Sequence, residues 1–152
     1  MPKIDLTKPL PPEDRLNLAA LMDGPYRAMD KLLFPQLAKR GHGDIRPAHS
    51  KVFEVVKGMG SRITDMAADA AMTKQAMQYL VDDLERLGYA ERIPDPEDRR
   101  AKLIRLTPRG RECVVFAREE FARTEAAWAD KLGKEKMEQL RTLLAELNAV
   151  VG

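Results

Sequence analysis

The sequence predicts a mainly α-helical chain of α+β class, with about six helices and one two-stranded β-hairpin. Three observations carry that prediction. Apolar residues recur at helical spacing over most of the chain. Two short strand-like runs, "YAERI" and "KLIRL", flank a single proline-bearing loop. Near the end, Met137, Leu140, Leu144, Leu147 and Val151 repeat at steps of 3, 4, 3 and 4, a coiled-coil-like seam that wants a partner helix.

The first dozen residues hold four prolines (Pro2, Pro9, Pro11, Pro12) and read as an extended arm. From about Glu13 to Arg40 the spacing is helical, with a kink or short break expected at Gly24-Pro25, where proline removes a ladder hydrogen bond. "GHGD" at 41–44 ends that element, and Pro47 suits the first residue of the next helix, whose buried side is Val52, Phe53, Val55 and Val56. Two helices follow, near 62–70 and from the N-cap Thr73 to about Leu87, with Gly88 as the stop. In the second, Met77, Leu80, Val81, Leu84 and Leu87 make an apolar stripe, while Lys74, Gln75, Gln78, Tyr79 and Asp82 make a polar one. The two strands come next, their loop "PDPEDRRA" kept out of the ladder by Pro94 and Pro96. Thr107-Pro108 opens a long helix to about Leu132, Gly133 ends it, and the seam helix closes the chain.

Composition excludes several classes. One cysteine, Cys113, allows no internal disulfide, and no stretch resembles a signal peptide or reaches the roughly 20 apolar residues of a membrane span, so a reduced cytoplasmic protein is expected. Two histidines and one cysteine without ligand spacing give no metal site, and no cofactor is expected. No glycine-rich loop or nucleophile–base pair points to an enzyme. The 26 basic and 24 acidic residues nearly cancel, so charge distribution matters more than its sum.

Helix, short turn, helix and hairpin, in that order, is the layout of a winged helix-turn-helix, whose second helix can enter a major groove. The exposed stripe from Lys74 to Tyr79 offers glutamines for adenine and lysine for phosphate or guanine. From Arg99 to Arg111 there are six basic residues and no acid, so a stiff loop carrying Arg99 and Arg100 could reach a minor groove, with Asp98 holding an arginine fork in one pose. Bland readings exist for both features, since an Arg-rich loop is usually solvated surface and most polar helix faces simply meet water. A winged helix that docks another protein instead of DNA is the alternative.

The stretch "RITDMAADAAMTKQAMQYLVDDLERLGYAERIPDPEDRRAKLIRLTPRGRE", 62 to 112, resembles the MarR family of bacterial transcription regulators, most specifically in Asp98, Arg100, Leu106-Thr107 and Gly110. "GHGDIRPAHSKVF" resembles the family's approach to its second helix. The resemblance implies an intertwined homodimer on a palindromic operator, with double-stranded DNA as partner. It implies an N-terminal arm and dimerisation helix over 1–45, the winged domain over 46–107 and dimerisation helices over 108–152. The candidate DNA-contacting set is Ser61, Arg62, Thr73, Lys74, Gln75, Gln78, Tyr79, Asp98, Arg99 and Arg100, with Arg100 as the minor-groove residue. Relatives often carry glycine where Ala71 stands, so a turn needing positive φ would strain alanine there by about 1 kcal/mol. Tyr79 stands where many relatives have arginine, and Asp82 beside it is expected to pair with a neighbouring cation.

The resemblance further implies a repressor released by a small aromatic or phenolic effector. Met22, Tyr26, Met29, His49, Phe53, Phe116 and Trp128 are the candidate lining residues, although such residues are more often core. Peroxide-sensing relatives carry a reactive cysteine near the first helix, where this chain has none, and Cys113 reads as a buried small residue.

Overall fold

Helical periodicity resolves into six α-helices in the computed structural model, which describes residues 17–152. The expected arm with its four prolines, and the start of the first helix, lie outside the described residues. Helix α1 (Leu18–Lys39) begins where the Asn17 side chain accepts the Ala20 amide at 2.9 Å. It runs unbroken through Pro25 and Pro35, so of the kink or short break expected at Gly24-Pro25 the break does not occur. The carbonyl that loses its N–H partner at Pro25 belongs to Leu21 on an exposed stretch where water can serve it, while the anchoring residues Leu33 and Leu37 lie further on.

A single 3-10 turn, Pro47–His49, leads into α2 (Ser50–Val55), with proline at the first position as expected. Helices α3 (Ile63–Asp69) and α4 (Lys74–Arg86) form the tight pair, and strands β1 (Ala90–Pro94) and β2 (Lys102–Leu106) the hairpin. Pro94 lies inside the ladder, opposite Lys102, because the last position of an edge strand can do without an N–H. Ser61 adds a one-residue bridge to Ile104 (2.9 and 2.8 Å), so the hairpin is tied to the chain just before α3. Thr107 caps α5 (Pro108–Leu132) by accepting the Gly110 amide, and Gly133 separates α5 from α6 (Lys134–Val151). No described helix is long and apolar enough to cross a membrane.

The core gathers Leu33 and Leu37 of α1, Val52 of α2, Met66 of α3, the α4 stripe, Ile104 of β2 and Cys113 and Phe116 of α5. Helix α6 contributes no buried residue, and Leu140, Leu143, Leu144, Val150 and Val151 are exposed. Helix α1 likewise exposes Leu18, Leu21, Met22, Tyr26 and Leu32. Two unpartnered apolar faces therefore lie at the two ends of the described chain.

Three helix ends close the same way. After α1 the His42 and Gly41 amides reach Leu37 and Ala38, after α4 Tyr89 and Gly88 reach Leu84 and Glu85, and after α3 Met72 and Ala71 reach Ala67 and Ala68. The residue at the turn has φ +87 at Gly41 and +81 at Gly88, but φ +50 at Ala71. The left-handed region costs an L-residue about 1–2 kcal/mol, whereas glycine adds unfolded-chain entropy of about 0.5–1 kcal/mol. Ala71→Gly is therefore expected to raise the unfolding free energy by about 0.5–1 kcal/mol, read as a higher urea midpoint at unchanged slope. A lower midpoint would show that the turn carries no strain.

Candidate nucleic-acid interface

Helix α4 is positioned by its cap and its buried stripe. Thr73 Oγ1 accepts the Ala76 amide at 3.1 Å, while Met77, Leu80, Val81 and Leu84 are buried. That seating turns Thr73, Lys74, Gln75 and Tyr79 to solvent, Tyr79 at 64% exposure. Gln78 is half-buried, and its amide donates to Asp82 at 2.7 Å. Asp82 also accepts from Arg92 of β1 at 2.7 Å, the cation pairing expected for it, and this contact holds its carboxyl below the usual range. Arg92 reaches Glu85 as well, so the hairpin is bound along one flank of α4.

The foot of the hairpin is fixed from α3. Arg62 donates to Asp95 Oδ2 through Nε at 2.7 Å and through a terminal nitrogen at 2.5 Å. Asp95 is only 4% exposed, and its other oxygen takes the Glu97 amide at 2.9 Å. That amide first, and then Arg62, hold the carboxyl below its ordinary range. Arg62 thus orients the loop through Asp95, a residue that drew no attention in the sequence. Ser61, expected at the DNA surface, is buried: its backbone pairs with Ile104 and its hydroxyl accepts the Lys57 amide at 2.9 Å. Its ladder position leaves no room for a solvent-facing role.

At the tip, Glu97, Asp98, Arg99 and Arg100 are all exposed. The expected pairing of Asp98 with an arginine fork is replaced by a turn, in which Asp98 Oδ1 accepts the Arg100 backbone amide at 3.0 Å and its carbonyl takes the Ala101 amide at 2.9 Å. A short aspartate side chain reaches the amide two residues on more readily than a guanidinium that solvent competes for. Asp98 therefore shapes the tip, and the two guanidiniums project from it.

Two long-range clusters were not visible in the sequence. Asp83 gathers Arg46, Arg86 and His49 around one carboxylate. Tyr89 is fully buried, with its hydroxyl donating to Asp44 at 2.5 Å and meeting His42 Nδ1 at 3.0 Å. Arg109 lies over its ring, 4.4 Å from the centroid. His49 is thereby corrected from a lining residue to a buried one, since Nδ1 accepts the Arg46 amide at 3.1 Å and Nε2 lies 2.9 Å from Asp83 Oδ2.

A cavity of about 290 Å3 opens between α1, α2 and α5. Of the seven expected lining residues, Tyr26 and Phe53 border it, with Phe34 and Phe121 beside them and charges from Asp30, Glu54 and Arg118. Phe116 borders a second cavity of about 280 Å3 with Arg40, whose guanidinium lies 4.9 Å from the ring centroid. Met22, Met29 and Trp128 border neither, because helical spacing alone does not tell which side of a helix meets a void. Cys113 is buried against the first cavity, and burial pushes its thiol up to about 11, which removes the thiolate needed for redox chemistry.

Residues 44–101 match the family model described as MarR family. The HTH-type transcriptional regulator FarR of Neisseria gonorrhoeae is 31% identical over 83 residues, 55% of this chain and 57% of that protein. The chain thus aligns with little more than half the length of that curated relative. Wild-type apo MarR from E. coli superposes with a TM-score of 0.69 at 20% identity, covering 88% of this chain and 98% of that one. S. aureus MepR, solved as a complex with DNA, gives 0.67 at 21% identity over 90% of this chain and 100% of its own.

Proposed function

We propose that the chain is a winged-helix protein of the MarR family and acts as a homodimeric, sequence-specific transcription regulator of double-stranded DNA. One observation carries the reading. The exposed face of α4, with Lys74, Gln75 and Tyr79, and the arginine-tipped hairpin are bound to each other through Arg92, Asp82 and Glu85. A helix held beside a basic hairpin suits one duplex, the helix in the major groove and Arg99 and Arg100 in the adjoining minor groove. Thr73 at the helix start keeps first-turn amides near a phosphate, and the DNA-bound relative MepR supports the same use of the fold.

Two copies follow from the exposed apolar faces of α1 and α6, which one chain leaves uncovered. In this reading 1–45 and 108–152 make the dimer and 46–107 reads DNA in the cytoplasm. A two-fold protein then meets half-sites one helical turn apart. A small effector in the cavity between α1, α2 and α5 releases a repressor by shifting the winged part against the dimer.

Selection of bound duplexes from a random library tests the reading. A palindrome with half-sites about one helical turn apart is expected. No enrichment, with a flat dependence of binding on salt, would favour a protein-docking module instead. On the recovered site Arg100→Ala is expected to weaken binding by about 1–3 kcal/mol with the dimer mass unchanged. Equal affinity in a matched titration would remove the hairpin tip from the mechanism.

A further inference from the structure

We propose that Arg46, held by Asp83 beside the exposed face of α4, forms a binding site for a backbone phosphate on the flank away from the hairpin. The proposal rests on the DNA-binding reading above and adds a contact outside the expected set.

The geometry begins with α4 as a ruler. Asp82 and Glu85 face Arg92 and the hairpin. One residue on from Asp82 turns the helix by about 100°, so Asp83 leaves on a different side, along the edge it shares with Tyr79 four residues earlier. Arg46 meets that edge from the loop before the 3-10 turn, its guanidinium donating to Asp83 Oδ2. The face carrying Gln75 and Tyr79 is thus bordered by a guanidinium on each side: Arg92, 28% exposed and bound to two carboxylates, and Arg46, 53% exposed and bound to one. Only the second keeps donors turned to solvent in quantity.

Asp83 is built to hold that arginine without neutralising the cluster. Its side chain is 13% exposed, with Arg86 on Oδ1 and both Arg46 and His49 on Oδ2. Hydrogen bonds from Arg86 first, then His49 and Arg46, bring its carboxyl down to about 2. His49 Nδ1 accepts the Arg46 amide, and its Nε2 lies 2.9 Å from the same carboxylate oxygen. Two guanidiniums then share one carboxylate, which leaves a net positive charge at the surface. A guanidinium ordered in advance loses less rotamer freedom when it meets a phosphate, and its planar fork matches two phosphate oxygens.

Anisotropy titrations of the full chain against the selected duplex and a scrambled one, over a potassium chloride series, test the site. Arg46→Ala is expected to weaken both duplexes to a similar extent, roughly tenfold, and to lower the log–log salt slope by about one. Asp83 retains Arg86 and His49 in that variant, and Arg46→Gln, which keeps a donor to Asp83 but no charge, is expected to give the same loss of slope. Wild-type affinity and slope in both variants would overturn the phosphate site while leaving the DNA reading intact. A parent chain that binds neither duplex would overturn both.

Discussion

Gly110→Ala is expected to cost about 4 kcal/mol or more of stability, enough to unfold much of the population of a marginal domain. A β-carbon at this position would lie 2.1 Å from the Tyr89 carbonyl oxygen and 3.3 Å from Leu106 Cβ. Neither neighbour can retreat cheaply. The Tyr89 carbonyl accepts the Thr107 amide at 3.0 Å, which seats the start of α5 on the start of β1. The Tyr89 ring is packed against Phe53 and clamped by Asp44, His42 and Arg109, so moving its backbone disturbs the contact between helices and winged part. Thr107 Oγ1 also donates to the Gly88 carbonyl at 2.6 Å while accepting the Gly110 amide, so the cap and the close approach fail together. Overpacking of this kind displaces backbone, and its cost exceeds that of a flexible side chain. Urea unfolding followed by circular dichroism reads the loss. A variant with wild-type midpoint would mean that α5 does not need this approach to β1.

Periodic elements were legible because they depend on local spacing. The α4 stripe, the Thr73 and Thr107 caps and the Gly133 stop were each read within a window of a few residues. Contacts between distant segments were not. Ser61 looked like an exposed residue before a helix, and nothing local reveals that Ile104, far along the chain, needs its backbone as a ladder partner. Asp83 and His49 were hidden for the same reason: a polar residue at the edge of a helix reads as solvated until the element that covers it is known. Asp98 was legible in position and not in bonding, because its partner is the amide of Arg100 and not the side chain. At Gly24-Pro25 the local rule allowed a kink or a break, and the helix continues where an exposed carbonyl tolerates a missing N–H.

Leu140→Asp together with Leu144→Asp is expected to convert the protein to monomer and, through that, to cost most of its affinity for a palindrome. Both leucines lie on the uncovered side of α6, at 42% and 38% exposure, and neither supports the core of its own chain. Burying a leucine against a partner is worth about 1.5–3 kcal/mol, and two-fold symmetry counts each position twice. With only about two-fifths of each side chain left to bury, the four positions account for about 2.5–5 kcal/mol, and the desolvation of four unpaired carboxylates comes on top, set against the about 8 kcal/mol that holds a micromolar dimer. The winged part should be untouched, since α4, the hairpin and the Asp83 cluster contact α6 nowhere in the principal packing of the chain. A folded monomer with native circular dichroism is the expected product, its mass read by sedimentation. It would meet one half-site at a time, losing the effective concentration that a joined second subunit supplies, a factor of about 10² to 10⁴. A chain ending at Gly133 should behave similarly or lose solubility, because it also uncovers the side of α5 on which α6 packs. A variant dimer with parental DNA affinity would place the two-fold contact on another surface, leaving the exposed leucines of α6 without a purpose in the fold.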